Sequence, residues 1–261
     1  MYMTPEMTCV DGMYFKVNKD DMTAMMMATY DMAVNIPGIN QSYLSGEAQN
    51  FGPDANVPSK ITLDGEEYTV TNLQAGAFYD TPNVTSVTLN EGLLNVEYET
   101  FYGTKVEEVV FPNSMESLED TNFYYCPNVK SVTFGTDMKT IGANGFVGCP
   151  NLTSITCLAS VPPTKAEGSA GDVFTANFKA NATLTVPFGT SEDYKASPVW
   201  AGFKEYVELP QSPSVGIEGV ENVDNAPARY FNLQGVEINE PAKGQIVIEV
   251  RGGKSTKRVI R

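Results

Sequence analysis

Four phenylalanines set the frame of this chain. Phe78, Phe101, Phe123 and Phe146 are separated by 23, 22 and 23 residues. Apolar residues recur at fixed offsets from each. Eight positions before the ring stand Val70, Leu93, Met115 and Met138, and five before it stand Leu73, Val96, Leu118 and Ile141. Six after it come Val84, Val129 and Leu152; nine after it, Val87, Val132 and Ile155; eleven after it, Leu89, Phe134 and Cys157. The second unit is one residue short, so Val106, Val109 and Phe111 fall one position early, which accounts for the separation of 22. A Pro-Asn pair recurs at Pro82-Asn83, Pro127-Asn128 and Pro150-Asn151 and is missing where the residue was deleted. Self-similarity at a fixed period of about two dozen residues is the mark of a repeat architecture.

Within each unit the pattern switches to alternation. Val84-Thr85-Ser86-Val87-Thr88-Leu89 reads as a strand with Val87 and Leu89 inward and Ser86 and Thr88 outward. One such strand cannot bury its apolar face alone. Stacked coils bury it against their neighbours and join into a continuous parallel sheet, while the phenylalanines fill the interior from the opposite wall. The outward positions then form a ladder, Ser86 and Thr88, Glu108 and Val110, Ser131 and Thr133, Ser154 and Thr156. It is the first candidate binding surface. Read plainly, it is a soluble face of good strand formers. A second ladder follows the phenylalanines at Tyr79, Tyr102 and Tyr124, with Val147 in the fourth unit. Stacked tyrosines suit protein or sugar contacts, and equally shield the edge of the core, which is the preferred reading.

The run Thr140-Ile141-Gly142-Ala143-Asn144-Gly145-Phe146-Val147-Gly148-Cys149-Pro150-Asn151-Leu152-Thr153-Ser154-Ile155 resembles the BspA-type leucine-rich repeats of exported Bacteroidetes proteins. The likeness extends from about Ile61 to Leu209. That family usually carries Ala before the phenylalanine; here Ala77 keeps it, and Thr100, Asn122 and Gly145 replace it. The resemblance implies a leucine-rich-repeat solenoid, strand-rich and of the α/β class, a right-handed superhelix closed by N- and C-terminal caps. It also implies export to the cell surface or beyond. Met1-Tyr2-Met3-Thr4-Pro5 lacks a basic and then apolar start, which reads as either an intracellular chain or a mature form whose leader is absent here, and the resemblance favours the second.

The expected organisation is an N-terminal β cap (1–69), four repeats (70–157), a degenerate repeat and C-terminal cap with a short helix (158–209), a linker (210–227) and a small all-β module (228–261). In the first cap, Val10–Val17 reads as one strand and Asp64-Gly65 as a hairpin turn. The stretch from Pro37 to Pro58 reads as a long loop, and Met25-Met26-Met27 as core filling. In the second cap, Ala159–Asp172 reads as an insertion, Phe174 or Phe178 as a fifth ring position, Ser191 as the N-cap of a helix, and Trp200 with Phe203 as the plug. Tyr230-Phe231-Asn232-Leu233-Gln234-Gly235 and Gly244-Gln245-Ile246-Val247-Ile248 resemble C-terminal β-modules of exported Bacteroidetes proteins, some of which are type IX sorting signals. Gln245-Ile246 stand here in place of the usual aromatic.

Composition narrows the function. The net charge is −15, and the segment from Lys243 onward carries +5, so residues 1–242 carry −20. An acidic surface of this kind does not bind nucleic acid non-specifically, which needs a cationic face, and no nucleic-acid partner is expected. No run of roughly 18 apolar residues is present to span a membrane. The chain has no histidine, which removes the usual general base and the commonest metal ligand. The acids between Glu91 and Asp120 (Glu91, Glu97, Glu99, Glu107, Glu108, Glu116, Glu119, Asp120) include no calcium loop and read as a solvated face. Cys126 and Cys149 share one repeat position, within disulfide range on neighbouring coils, and read as buried thiols; Cys157 takes an inward core position. The expectation is a non-enzymatic scaffold without cofactor or metal, binding a protein or glycan through the sheet face. The alternatives are a structural component of an envelope complex and, remotely, a glycan-active hydrolase.

Fully burying an apolar side chain contributes about 1.5–3 kcal/mol, and a ring deleted from a packed column also leaves a cavity. Phe123→Ala is expected to cost roughly 3–5 kcal/mol. A loss below about 1 kcal/mol in a denaturant titration would show the repeat frame to be wrong.

Overall fold

The structure is a computed structural model. It describes residues 6–28 and 52–211 and, in the C-terminal part, the strands 229–231, 237–238, 246–251 and 254–259. The chain divides into two compact units, Met1–Leu209 and Pro210–Arg261. Of the stretches read above as loop and linker, 37–51 and 212–227 lie outside the described residues.

The first unit opens with a hairpin. Strands β1 (Met7–Val10) and β2 (Met13–Asn18) are antiparallel. Asp11 (φ 49°) and Gly12 (φ 79°) between them are both left-handed, as a two-residue primed turn requires. The single strand expected across Val10–Val17 is therefore two, because two consecutive positive φ angles reverse the chain. Strand β3 (Thr23–Met26) lies antiparallel to β2, with Met26 fully buried. Strand β4 (Asp54–Val57) corrects the reading of Pro37–Pro58 as loop throughout. Its Ala55 and Val57 alternate inward, and it pairs in parallel with the first repeat strand. Strands β5 (Lys60–Leu63) and β6 (Glu66–Leu73) form the expected hairpin on Asp64-Gly65.

Each coil then contributes one longer and one shorter strand. They are β7 (Ser86–Leu89) and β8 (Asn95–Val96), β9 (Glu108–Val110) and β10 (Ser117–Leu118), β11 (Ser131–Phe134) and β12 (Thr140–Ile141), β13 (Ser154–Cys157) and β14 (Thr164–Lys165). Beyond them come α1 (Ala176–Lys179), β15 (Thr183–Val186), α2 (Ser191–Ala196) and β16 (Glu205–Glu208). The longer strands make a parallel sheet in the order β16-β15-β13-β11-β9, next to the β4-β7 pair. The shorter ones continue β6 in the order β8-β10-β12-β14. Parallel strands stacked coil on coil make the first unit a strand-rich repeat solenoid.

The interior is the ring column the spacing required. Phe78, Phe101, Phe123 and Phe146 stack at centroid distances of 5.5, 5.1 and 5.4 Å with interplanar angles of 6°, 5° and 7°. Phe174 adds a fifth ring at 5.3 Å from Phe146, with Phe178 alongside. Phe111 and Phe134 stack at 5.6 Å from the sheet side and meet the column edge to face. The turns carrying the column are hydrogen-bonded too: Phe78, Phe101 and Phe123 donate their N–H to Thr100, Asn122 and Gly145 carbonyls at 2.8, 3.1 and 2.7 Å.

This turn wall depends on two left-handed residues per coil. Two positions before each ring stand Gly76, Glu99, Thr121 and Asn144, and two after it Asp80, Gly103, Tyr125 and Gly148, all at positive φ. Only glycine adopts this region without a steric cost, so five non-glycine residues are held there by the packing around them. Gly142 answers another demand: a Cβ on it would come within 2.3 Å of the Asp120 nitrogen on the preceding coil.

Asn122, where the resembled family has Ala, is fully buried. Its Oδ1 accepts from Thr100 N–H at 3.1 Å, and its Nδ2 donates to Glu97 O and Glu119 O at 3.0 and 2.9 Å. A polar side chain is kept in the interior because each of its groups is paired across two coils.

At the far end, the stretch read as an insertion is shorter than expected. Thr164–Lys165 form the next rung of the short-strand ladder against β12. The segment after it folds back on the coils, with Ser169 Oγ donating to Asp120 Oδ1 at 2.5 Å and Asn144 Nδ2 to Ala170 O at 3.1 Å. The N-cap of α2 is Thr190, not Ser191. Glu208 accepts from Gly189 N–H and Ser191 N–H at 3.0 and 3.1 Å, so a carboxylate from β16 does the work assigned to the serine hydroxyl. Trp200 closes the coil, fully buried, its Nε1 donating to Pro163 O at 2.8 Å.

In the second unit, β17 (Arg229–Phe231), β18 (Glu237–Ile238), β19 (Ile246–Arg251) and β20 (Lys254–Val259) form an antiparallel sheet in the order β18-β17-β19-β20.

Asn122→Leu keeps the branched shape and heavy-atom count and removes the polar pairing. A buried polar group left without a partner costs about 1–3 kcal/mol. The variant strands the Thr100 N–H and weakens two carbonyls, so it is expected to lose at least ~2 kcal/mol in guanidinium unfolding. Wild-type stability would show that the asparagine network carries no weight.

Candidate functional site

The outward side chains of the long-strand sheet are aligned by its register. Ser131 pairs with Glu108 on one side and Ser154 on the other, and Thr133 with Val110 and Thr156. Ser86, Thr88, Glu108 and Val110 are exposed, and Ser131, Thr133, Ser154 and Thr156 are half-buried. Val110 is 57% exposed, an apolar side chain on the third strand of the face. The structure brings all eight expected residues onto one face and lengthens it. Thr183 and Thr185 follow Ser154 and Thr156, Glu205 and Val207 follow those, and Asp54 and Asn56 sit opposite Ser86 and Thr88. Thr183-Leu184-Thr185 repeats the Ser-Val-Thr alternation and was open to reading from sequence. Asp54-Ala55-Asn56-Val57 was not, because it lies outside the phenylalanine frame.

Two rows result. One runs Asp54, Ser86, Glu108, Ser131, Ser154, Thr183, Glu205; the other runs Asn56, Thr88, Val110, Thr133, Thr156, Thr185, Val207. Most are short side chains with few rotamers, so little conformational entropy is lost when a ligand settles on them. The charge on the face is acidic at Asp54, Glu108 and Glu205, and the Lys130–Glu107 ion pair (2.5 Å) stands beside it.

The tyrosine ladder is on a different wall. Tyr79 and Tyr102 stack at 4.5 Å, and Tyr102 and Tyr124 at 5.7 Å. Their mutual stacking uses ring faces that a ligand would otherwise need, which supports the role of edge shield. Tyr125, 55% exposed and left-handed, stands edge-on to Tyr124 and Tyr102. Partial burial raises the Tyr79 phenol pKa, and the neighbouring Tyr102, Glu99 and Asp80 raise it further. Burial raises Tyr98 also, with Glu97, Glu99 and Glu119 adding to it. At Tyr124 the main cause is Tyr125.

Several of the acids read as a solvated face are instead inter-coil caps. Glu97 accepts from Ala75 N–H at 3.0 Å, Glu119 from Tyr98 N–H at 3.2 Å, Asp120 from Ala143 N–H at 2.8 Å, and Glu91 from both Asn113 and Ser114 N–H at 3.1 Å. Burial, and then Glu97 beside it, hold the Glu119 carboxyl above the usual range. Glu116 pairs with Lys139 at 2.8 Å. Among the described residues no group of three or more His, Cys, Asp or Glu is placed to hold a metal ion.

Cys126, Cys149 and Cys157 are buried free thiols and Cys9 is an exposed one. Cys126 and Cys149 continue a column begun by Thr81 and Thr104, three residues after each ring. The threonine hydroxyls donate to Phe78 O and Phe101 O at 2.7 and 2.9 Å. The thiols donate to the carbonyls of the preceding coil, Phe101 O and Phe123 O, at 2.9 and 2.8 Å. The neighbouring Cys149 side chain lowers the Cys126 thiol pKa. Burial pushes Cys157 up to about 11. Burial likewise raises the Tyr194 phenol, whose hydroxyl donates to Ala159 O at 2.8 Å.

Residues 59–166 match, in six copies, the family model for the BspA type leucine rich repeat region. Among solved structures, a leucine-rich repeat protein from Bacteroides capillosus is similar at 21% identity, over 58% of this chain and 98% of that one, with a TM-score of 0.41. The pneumococcal vaccine antigen PcpA is similar at 14% identity over 71% of this chain and 65% of its own, TM-score 0.42. A leucine rich cell surface protein from Faecalibacterium prausnitzii is similar at 16% identity over 79% and 44%, TM-score 0.36. No curated protein matches the chain.

Raised phenol pKa values couple folding to alkaline pH. A tyrosine whose folded pKa exceeds its unfolded value near ~10 binds its proton more tightly when folded. Its contribution is therefore complete below that value and is lost as pH rises above it. Tyr79, Tyr98, Tyr124 and Tyr194 act together, so the unfolding midpoint should fall steeply above pH ~10. Tyr194→Phe should flatten the fall. A flat profile would show that these phenols ionise as freely folded as unfolded.

Proposed function

We propose that the repeat unit is a non-catalytic binding scaffold of an exported, surface-exposed protein, and that it takes a protein or glycan ligand across the long-strand sheet face. The observation that carries this reading is the register of that face. Seven strands, β4 and β7 in one pair and β9, β11, β13, β15 and β16 in one sheet, present two aligned rows of small hydroxyl, carboxylate and β-branched side chains. The rows offer donors, acceptors and methyl groups at a fixed spacing of about 4.8 Å. That suits a long ligand with repeating polar groups better than a small molecule, which needs a concave pocket. The absence of histidine and the engagement of Glu91, Glu97, Glu119 and Asp120 in backbone caps leave these acids to structure rather than to acid–base work.

The test is a glycan and extracellular-matrix protein array with the full chain, followed by Val110→Arg and Thr88→Arg, both at exposed positions of the face. Both variants are expected to lose at least tenfold in apparent affinity for the hit. Their unfolding midpoints should stay near wild type, since substitutions away from packed features cost within about 0.5 kcal/mol. Undiminished binding by both variants would place the ligand elsewhere.

A further inference from the structure

The thiols Cys126 and Cys149 occupy equivalent places on the third and fourth coils. The two coils are in backbone contact on either side of the pair: Phe123 N–H donates to Gly145 O at 2.7 Å and Tyr125 N–H to Val147 O at 2.9 Å. The rings of Phe123 and Phe146 stack at 5.4 Å just before the two cysteines. Equivalent residues on parallel neighbours lie about 4.8 Å apart, inside the Cα range of about 4.4–6.8 Å that a disulfide spans. Both side chains point toward the preceding coil, Cys126 Sγ to Phe101 O at 2.9 Å and Cys149 Sγ to Phe123 O at 2.8 Å, so the Cys149 thiol is directed at the coil that carries Cys126. Cys157, by contrast, faces Tyr194 and Ala159, and Cys9 lies on β1.

We propose that Cys126 and Cys149 are a dithiol site, closed to an inter-coil disulfide by exchange with an external disulfide, either a small-molecule disulfide or a protein disulfide oxidant. Entry is through Cys149, the less deeply buried of the two at 8% exposure, between the exposed Gly148 and Pro150. Its thiol gives up a proton and the thiolate attacks one sulfur of the oxidant. The oxidant's S–S bond breaks, one thiolate leaves, and a mixed disulfide stands on Cys149. Cys126 then loses its proton and attacks Cys149 Sγ, expelling the second thiolate. Two electrons pass from the pair to the oxidant, and the two protons end on its two released thiols. Closure removes both S–H donors. Phe101 O keeps Thr104 N–H and Oγ1–H, at 3.2 and 2.9 Å, and the bond gained ties the third coil to the fourth beneath Tyr125.

The column supplies its own control. Thr104 fills the same slot one coil earlier and donates to the Phe101 carbonyl, so Cys126→Thr keeps a carbonyl cap and removes the sulfur. The experiment takes the full chain carrying Cys9→Ser, equilibrates the native protein across a glutathione redox series, quenches in acid, alkylates and maps the peptides by fragmentation. The expected result is the loss of two free thiols, an intact mass lower by two hydrogens, and a cross-link joining Cys126 to Cys149 with Cys157 still alkylatable after unfolding. The oxidised form should unfold at higher denaturant than the reduced one, and the Cys126→Thr form should show neither change. Glutathione adducts without a cross-link, a cross-link to Cys157, or both thiols still free in excess oxidised glutathione would overturn the proposal.

Discussion

Parallel stacking of one coil on the next is the constraint from which the rest of this unit follows. Register places each residue about 4.8 Å from its equivalents above and below, so whatever a position carries is repeated into a column. Apolar rings make the interior column, tyrosines the edge column, threonines and cysteines the carbonyl-capping column, and small β-branched residues the outer rows. A column is stable only when all its members suit one another. Phe78, Phe101, Phe123, Phe146 and Phe174 stack in nearly parallel planes at 5.1–5.5 Å, close enough that each inner ring is walled by two others. The same logic sets the ends. A terminal coil has a partner on one side only, and here Trp200 and Phe203 close the column while the β1–β2–β3 hairpins flank its start.

Register also explains where the acids go. A chain that turns several times per coil leaves N–H groups at each turn, and these must be paired if they are not to cost free energy. In this unit, carboxylates on one coil accept them from another: Glu97 serves Ala75, Glu119 serves Tyr98, Asp120 serves Ala143 and Glu91 serves Asn113 and Ser114. The arrangement brings like charges together, since Glu97 and Glu119 stand on adjacent coils. Glu119 holds its proton more tightly than a free carboxyl because it is partly buried and, second, because Glu97 stands beside it. Its folded pKa being raised, this group opposes folding once ionised, and the opposition is relieved as pH falls. The strong negative charge of the first 242 residues thus has a partly structural origin.

Much of the architecture was legible because inward positions are policed by packing. Phenylalanine spacing, the apolar offsets and the deletion in the second unit set the inward faces, and the Asp64-Gly65 turn announced its hairpin. Four features escaped for physical reasons. The turn reversal at Asp11-Gly12 was hidden inside an apolar alternation that reads through it. Strand β4 has a two-residue inward pattern that only a neighbouring coil makes meaningful. The left-handed positions flanking each ring carry Gly, Asp, Glu, Thr, Asn and Tyr in turn; what recurs there is a backbone angle, not a residue type. The N-cap of α2 was misassigned because the capping carboxylate comes from Glu208, 17 residues away.

The outward rows obey a weaker rule, and this shapes what a solenoid face can become. An outward residue on a strand need only favour the extended backbone and tolerate water, so threonine, serine and valine satisfy it equally. The same freedom lets the face be tuned to a ligand without disturbing the columns beneath it. Val110 illustrates the point. It interrupts a row of threonines with an exposed methyl pair, at the one coil shortened by a residue, while its neighbours Val109 and Phe111 hold their inward places. Shape is thereby fixed by the inside of the coil and chemistry is left to the outside, a division that lets one stacking rule carry surfaces of very different specificity.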